Sequence, residues 1–265
     1  MSEAKEPKQM TSYVELSQDN SAWARRARRI LINGPPNSRK TSSLATWPGP
    51  LFVQSYPGEK GTASIPKTTV DGLPVKAFAF ESPEAEVNWS QVVKDTKALT
   101  IEILSGKLGE VKTFAGDGLH KLYFMFLAEA TFGASARGEN FDAKLYGNAG
   151  TRFFQYVDLV MRSNVENVVF TCWDGHEKDD PDEKGTSPSR HIFPELPGQA
   201  SKKIMGEFSI SLYATKDPAG KFVWQTQPSG KVWGAGVKLP VEVAKTLPLF
   251  IEQDWRVLEK ALKLS

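Results

Sequence analysis

The sequence holds one cysteine, Cys172, so it forms no disulfide within the chain and cannot bind a metal through a set of thiolates. That usage fits a reducing compartment. Excess charge of one sign is missing too: 33 basic against 31 acidic residues leave a net charge of +2. Such a balance argues against a globally polyanion-binding protein and leaves room only for a local basic patch. Long hydrophobic runs are lacking. The longest, residues 122–127, is broken at Glu129, far short of the ~20 residues that span a membrane. Residues 1–20 are polar and mixed in charge, without the basic start and apolar run of a secretion signal. The expectation is a soluble, cytoplasmic protein with no membrane partner. Neither an internal repeat nor a low-complexity linker divides the chain. What is present is 265 residues, 40% of them hydrophobic and 24% charged, ample for a sizeable core. The economical division is a polar and basic N-terminal arm over residues 1–28 and a single domain over 29–265.

Periodicity alternates along that domain. A short apolar strand at 29–33 leads through Gly34-Pro35-Pro36 into a helix-compatible stretch at 40–46. Strands are predicted at 51–54, 75–80, 111–115 and 167–172. Helices are predicted from about 82 to 104, with Ser82 as N-cap and Pro83 at the first helical position, then over 119–130 and 151–162. Strands alternating with helices of ten or more residues argue for an α/β fold around a mostly parallel sheet flanked by helices. Residues 133–150, rich in Gly, Ala and Asn, and the charged stretch 174–189 read as loops. Segments 207–215 and 221–226 flank a Lys-Asp-Pro-Ala-Gly turn in the pattern of a hairpin, and 248–265 carry apolar residues on a helical period. The fold class expected is thus α/β with a C-terminal hairpin and helix.

The segment that carries chemistry is Gly34-Pro35-Pro36-Asn37-Ser38-Arg39-Lys40-Thr41-Ser42, set between a predicted strand and a predicted helix. It nearly matches G-x-x-x-x-G-K-[ST], the loop whose backbone N–H groups cradle phosphates. In that loop the lysine reaches the β- and γ-phosphates and the next hydroxyl coordinates magnesium. Lys40 and Thr41 stand at those positions, and Arg39 replaces the second glycine. The plain alternative is a Pro/Ser turn before an ordinary helix. A triphosphatase also needs a carboxylate at a neighbouring strand end. Asp117, after the strand at 111–115, is placed for it, although Gly116-Asp117-Gly118 is equally the composition of a turn.

These residues, with 52–58, Lys112 to Leu119, and Val168-Val169-Phe170-Thr171 followed by His176-Glu177-Lys178, resemble phage RecA-like ATPases. They are similar in particular to the phage nucleotide-binding proteins associated with single-strand annealing and recombination. The resemblance runs from Ile30 to Leu212. It implies a RecA-like P-loop core with ATP and Mg2+ as cofactors: Lys40 and Thr41 on the triphosphate and metal, Asp117 as the acidic residue of the second nucleotide motif, and His176 as a polar sensor. Where family members carry an acidic residue near the end of the second strand this chain has Tyr56, and Glu59 stands three residues later as the candidate water-activating base. Gly116 for an aliphatic residue and Trp173-Asp174-Gly175 ahead of His176 are further departures.

The resemblance also implies single-stranded DNA as partner, a homo-oligomeric ring or filament, an accompanying phage single-strand-binding or annealing protein, and the host cytoplasm as location. DNA-binding loops would fall at 133–150 and 174–189, with Arg137, Lys144, Arg152 and Arg190 facing phosphates, although four acidic residues at 179–183 oppose this in the second loop. The run Arg25-Arg26-Ala27-Arg28-Arg29, near Tyr13 and Trp23, is a further nucleic-acid candidate or simply a solvated edge. Lys238 is the candidate for a cation acting in trans on a neighbour's nucleotide. Three functions stay open on these residues: a Mg-dependent ATPase acting on DNA, a degenerate scaffold that no longer hydrolyses, and a small-molecule kinase sharing the phosphate loop.

Overall fold

The computed structural model describes residues 28–59, 61–80, 88–136, 143–178, 190–238 and 241–264. Their strands are β1 (Arg29–Gly34), β2 (Leu51–Ser55), β3 (Val75–Ala79), β4 (Thr113–Asp117), β5 (Asn167–Lys178), β6 (Arg190–Pro194), β7 (Ile210–Lys216), β8 (Phe222–Gln225), β9 (Gly236–Val237) and β10 (Phe250–Glu252). The helices are α1 (Lys40–Ser43), α2 (Trp89–Leu104), α3 (Leu119–Ala136), α4 (Ala143–Met161), α5 (Ala200–Glu207), α6 (Val241–Ala244) and α7 (Trp255–Ala261). They build a mixed, mostly parallel sheet in the order β10-β8-β7-β1-β5-β4-β2-β3, with β6 and β9 pairing off that path. Every pairing from β7 to β3 along the path is parallel, and β8, β10, β6 and β9 add antiparallel edges. This is an α/β P-loop fold.

Side chains alternate across a strand, and the central strands use that alternation to feed two cores. Leu31, Phe52, Phe114, Val168 and Phe170 point to one face, where they meet Leu122 and Phe126 of α3 and Phe153, Val157 and Val160 of α4. Ile30, Ile32, Leu51, Val53, Ala115 and Val169 point to the other, onto Trp47, Leu247, Trp255 and Leu258. Trp47 and Trp255 stack there with ring centroids 4.3 Å apart, pinning α7 beneath the sheet. Because β1, β5 and β4 are covered on both faces, their apolar runs are continuous, as buried parallel strands require.

Several sequence expectations need correction. The stretch 133–150 is no loop where it is described: α3 runs on to Ala136 and α4 begins at Ala143. Leu145 and Ala149 are buried and extend the apolar stripe of Phe153 and Val157 backwards, so burial outweighs the cost of Gly147 and Gly150. Nor is 174–178 a loop, because β5 continues to Lys178 against β6, pairing Asp174 with Pro194 and Lys178 with Arg190. Composition conceals this, since the polar residues at 174–178 lack the alternation of a strand and the partner strand follows only after the charged stretch 179–189. The C-terminal helix is preceded by a short strand in which Ile251 is buried between exposed Phe250 and Glu252. α7 then starts behind Asp254, whose carboxylate accepts from the Arg256 amide at 2.8 Å. α2 starts at Trp89 with Asn88 as its cap, accepting from the Gln91 amide at 3.2 Å. The predicted start at Ser82 and Pro83 lies outside the described residues, as do residues 1–27 of the N-terminal arm, Arg137 and the stretch 179–189. No helix among the described residues is long and apolar enough to cross a membrane.

Candidate functional site: a phosphate loop at the strand ends

The loop between β1 and α1 is held in a strained form. Asn37 and Arg39 both take positive φ, 63° and 65°. Arg39 is therefore left-handed, the conformation that glycine adopts freely at this point of a phosphate loop and that costs an ordinary side chain about 1–2 kcal/mol. Its guanidinium lies over the Phe222 ring of β8, 4.6 Å from the centroid. Other contacts fix the loop from within and from afar. Lys40 Nζ donates to the carbonyls of Gly34 and Pro35, each at 2.7 Å, and Gln253, just beyond β10, donates to the Ser38 carbonyl at 3.0 Å. Lys40 is buried, which pulls its pKa below the usual lysine value against the opposing charges of Asp174, Asp117 and Glu59. α1 is a single turn continued by a 3-10 turn at Leu44–Thr46, because Pro48 and Pro50 follow at once.

Beside the loop three oxygen-bearing side chains converge. The Thr41 hydroxyl donates to Asp117 at 3.0 Å, and Thr171 of β5 donates to the same carboxylate oxygen at 2.6 Å. The Gly118 amide donates in turn to Thr171 Oγ1 at 3.0 Å. Burial drives the Asp117 pKa up to about 6, with the charge of Glu59 adding to the rise and the Thr171, Thr41 and Lys40 contacts opposing it. Glu59 reaches this cluster from the turn after β2 and accepts from the Gly61 amide at 3.1 Å. A Cβ at Gly61 would stand 2.8 Å from Thr41 Oγ1, 3.2 Å from Asp117 Oδ2 and 3.3 Å from Glu59 Oε1. Only glycine brings the backbone this close, so Gly61 is part of how the three groups meet. His120 Nε2 lies 3.9 Å from Glu59 Oε2. Burial holds the imidazole pKa down at about 3, so this is a contact with a neutral ring rather than an ion pair. The His120 ring stacks on Trp173 at 4.7 Å.

A cavity of about 630 Å3 opens onto this arrangement, lined by the loop from Pro36 to Ser42 and by Glu59, Asp117, Thr171, Trp173 and Phe222. That volume falls in the range of about 300–1,000 Å3 common to small-molecule sites. A roomier, mainly apolar cleft of about 940 Å3 lies between α4 and α5 and contains none of the loop residues. The chemistry of the first cavity fits a magnesium nucleotide. Its donors are hard oxygens, the Thr41 hydroxyl and the Asp117 carboxylate, as Mg2+ prefers. Lys40 and the loop amides supply the positive side that phosphates need.

Lys40, Thr41, Asp117 and Glu59 are thus brought together. Other expected residues are not. His176 sits on β5 opposite Ile192 of β6, five residues beyond Thr171, and it is Thr171 that touches Asp117. Tyr56 turns into the core, where its hydroxyl meets that of Tyr156 at 3.2 Å within a buried network that includes Thr100 and Gln54. Arg152 lies on α4 and donates to Glu129 at 3.0 Å, and exposed Lys144 lies at the start of the same helix rather than in a loop. Lys238 follows β9 and donates to the Gly206 carbonyl of its own chain. Thr171 and Trp173 stand in the sequence reading only as parts of the motif around the fifth strand, with no role at the site, and Gly61, Phe222 and Gln253 are given none. The one signal for Thr171 is a hydroxyl closing an otherwise apolar strand; the others are joined to the loop only by the sheet order.

In that order β5 lies between β1, which ends in the phosphate loop, and β4, which ends in Asp117. The model of a family described as AAA domain matches residues 26–234. The chain belongs to the AAA domain family. This AAA domain is also similar to solved structures of two ATPases. One is the assembled ATPase EscN from the type III secretion system of enteropathogenic E. coli, at 14% identity over 71% of this chain and 43% of that one, with a TM-score of 0.42. The other is a prototypical ATPase from the type III secretion system of pathogenic bacteria, at 11% identity over 73% and 53%, with a TM-score of 0.41. The AAA domain chain thus spans about half the length of these structures. No curated protein matches its sequence.

Proposed function

We propose that this AAA domain binds Mg-ATP in the cavity beside the phosphate loop, hydrolyses it, and acts as a homo-oligomer on single-stranded DNA in phage recombination or replication. The observation that carries hydrolysis is the placing of Glu59 against the Thr41 and Asp117 pair. Water attacks the γ-phosphorus, an O–P bond forms, the bond to the β–γ bridging oxygen breaks, and Glu59 takes the proton released by the water. Mg2+, when bound, neutralises charge on the phosphate oxygens. Lys40 presents a fixed ammonium to the same oxygens, and its partners in the folded chain are neutral carbonyls, so contact with phosphate replaces weak acceptors by a charged one. Asp117 is held in place by Thr41 and Thr171, the latter on the strand between the two nucleotide motifs. The DNA, oligomer and phage part of the reading rests on the resemblance of 30–212 to phage RecA-like proteins.

A scaffold that binds nucleotide without turnover is the second reading, favoured by the left-handed Arg39 in the glycine position. Magnesium-dependent ATP hydrolysis by wild type and Lys40→Ala separates the two. Loss of wild-type turnover by on the order of 10²-fold or more in the variant is expected. Absence of turnover in wild type with nucleotide binding intact would leave the scaffold.

A further inference from the structure

Buried polar groups are nearly always hydrogen-bonded, and an exception in a folded protein calls for a reason such as a functional role or a partner yet to arrive. His120, in the first turn of α3, is such an exception. It is 1% exposed, and neither Nδ1 nor Nε2 has a hydrogen-bond partner among the described residues. A neutral imidazole carries one N–H donor and one acceptor nitrogen, so both capacities go unused. The ring is nevertheless held firmly. It stacks on Trp173 with centroids 4.7 Å apart and planes 26° from parallel, and Lys121 lies over the same indole at 5.1 Å. Trp173 is fixed in turn: it pairs with Gly34 at the start of the phosphate loop, and its carbonyl accepts from the Glu195 amide at 2.7 Å. His120 is thus oriented by a residue that lines the nucleotide cavity without being part of the lining itself.

The atom it faces is Oε2 of Glu59, 3.9 Å from Nε2. That is longer than a hydrogen bond, but in sites without ligand such contacts are often long and tighten when substrate binds. Glu59 is led to the imidazole by its own surroundings. Its Oε1 accepts from the Gly61 amide at 3.1 Å, and Gly118, where a Cβ would stand 2.9 Å from Oε2, lets the carboxylate lie against the turn into α3. Charge decides what the ring can offer. Burial, together with the nearby Lys121 and Lys40, holds the imidazole pKa at about 3, so the ring gives a hydrogen bond rather than a charge and does not take the proton onward.

We infer that His120 is a positioning residue that donates from Nε2 to Glu59 Oε2 in the nucleotide-bound state. With the Gly61 amide on Oε1 and His120 on Oε2, both oxygens of the carboxylate are held and its plane is fixed. Each oxygen keeps a lone pair for the attacking water. The unpaired imidazole then has its reason: its partner is completed only when the site is loaded. The inference rests on the reading of Glu59 as the base and adds the group that aims it.

The test pairs ATP turnover and ATP binding with a spectroscopic signature, all on the full chain with Mg2+. His120→Phe keeps a ring on Trp173 and removes the donor. It is expected to lower turnover at saturating ATP about tenfold or more while the nucleotide Kd stays within about threefold of wild type, as loss of an orienting partner does at other sites. His120→Gln, whose amide nitrogen reaches close to the place of Nε2, is expected to restore turnover to within about threefold of wild type. In a Glu59→Gln background His120→Phe should slow nothing further, because both changes act through one carboxylate. Imidazole 15N NMR of wild type with a non-hydrolysable ATP analogue should show the Nε2–H tautomer, the signal being identified among the three histidines by its loss in His120→Gln. Circular dichroism checks the fold of each variant, and the tautomer and His120→Gln decide should His120→Phe not fold. Wild-type turnover in His120→Phe beside a slow Glu59→Gln, equal slowing by Phe and Gln, further slowing in the double variant, or an Nδ1–H tautomer would overturn the positioning role and leave Glu59 as the base. Wild-type turnover in Glu59→Gln, or no turnover in wild type, would overturn both.

Discussion

Arg39 shows how a single residue can satisfy a conformation that its type resists. Its left-handed backbone is fixed by Lys40 and Gln253 on either side, and its guanidinium gains from lying over Phe222. The two effects have similar size: a left-handed ordinary residue costs about 1–2 kcal/mol, and an exposed cation–π contact returns about 0.5–1 kcal/mol. Arg39→Ala keeps the strain and loses the contact, whereas Arg39→Gly loses both. Chemical denaturation should accordingly find Arg39→Gly more stable than Arg39→Ala by about 1 kcal/mol. Equal stabilities would mean that the loop is not strained at this position. Glycine in the sequence pattern marks a backbone need, and the need is met here by a residue whose side chain reaches a distant strand. The sequence displays the departure but not its partner, because Phe222 is brought to the loop by the sheet order alone.

At the scale of elements, β4 explains a second departure. Gly116 stands where an aliphatic residue is expected, directly before Asp117. A Cβ there would lie 2.3 Å from the Phe170 ring of β5 and 2.8 Å from the Tyr56 hydroxyl. The glycine is thus the complement of a large neighbour on the adjacent strand, and Asp117 remains at the strand end rather than in a turn. Gly116→Val would overpack a buried contact and should cost about 1–3 kcal/mol, read as a fall of roughly 2–12 °C in melting temperature for a domain of this size. A melting temperature equal to wild type would contradict the packing. Strand and helix types are legible wherever the apolar period is local, as in β1, β2 and α3. They are not legible where an element depends on a partner that its own composition does not reveal. β5 beyond Cys172 looks like charged loop until β6 pairs with it, and α4 before Thr151 looks flexible until Leu145 and Ala149 are seen to be buried.

Across the whole molecule, the sheet order makes the site. Placing β5 between β1 and β4 sets Thr171 against Asp117, and placing β2 on the far side of β4 delivers Glu59 to the same point. The Tyr56 amide donates to the Asp117 carbonyl at 3.2 Å, tying those two strand ends together. Lys40 and Thr41 are readable because they are consecutive residues of one loop. The partnership of Thr171 is hidden because its meaning comes from a strand 54 positions away from the one it serves. His176 carries the polar signal further along the sequence, yet the ladder with β6 takes it past the carboxylate. The most direct test is ATP binding and ATP turnover, in parallel, by wild type and Glu59→Gln with Mg2+. With Glu59 as the proposed general base, the substitution is expected to lower turnover by on the order of 10²–10⁴-fold while binding stays within a few-fold of wild type. Turnover in Glu59→Gln equal to that of wild type would exclude Glu59 as the group that takes the proton from water.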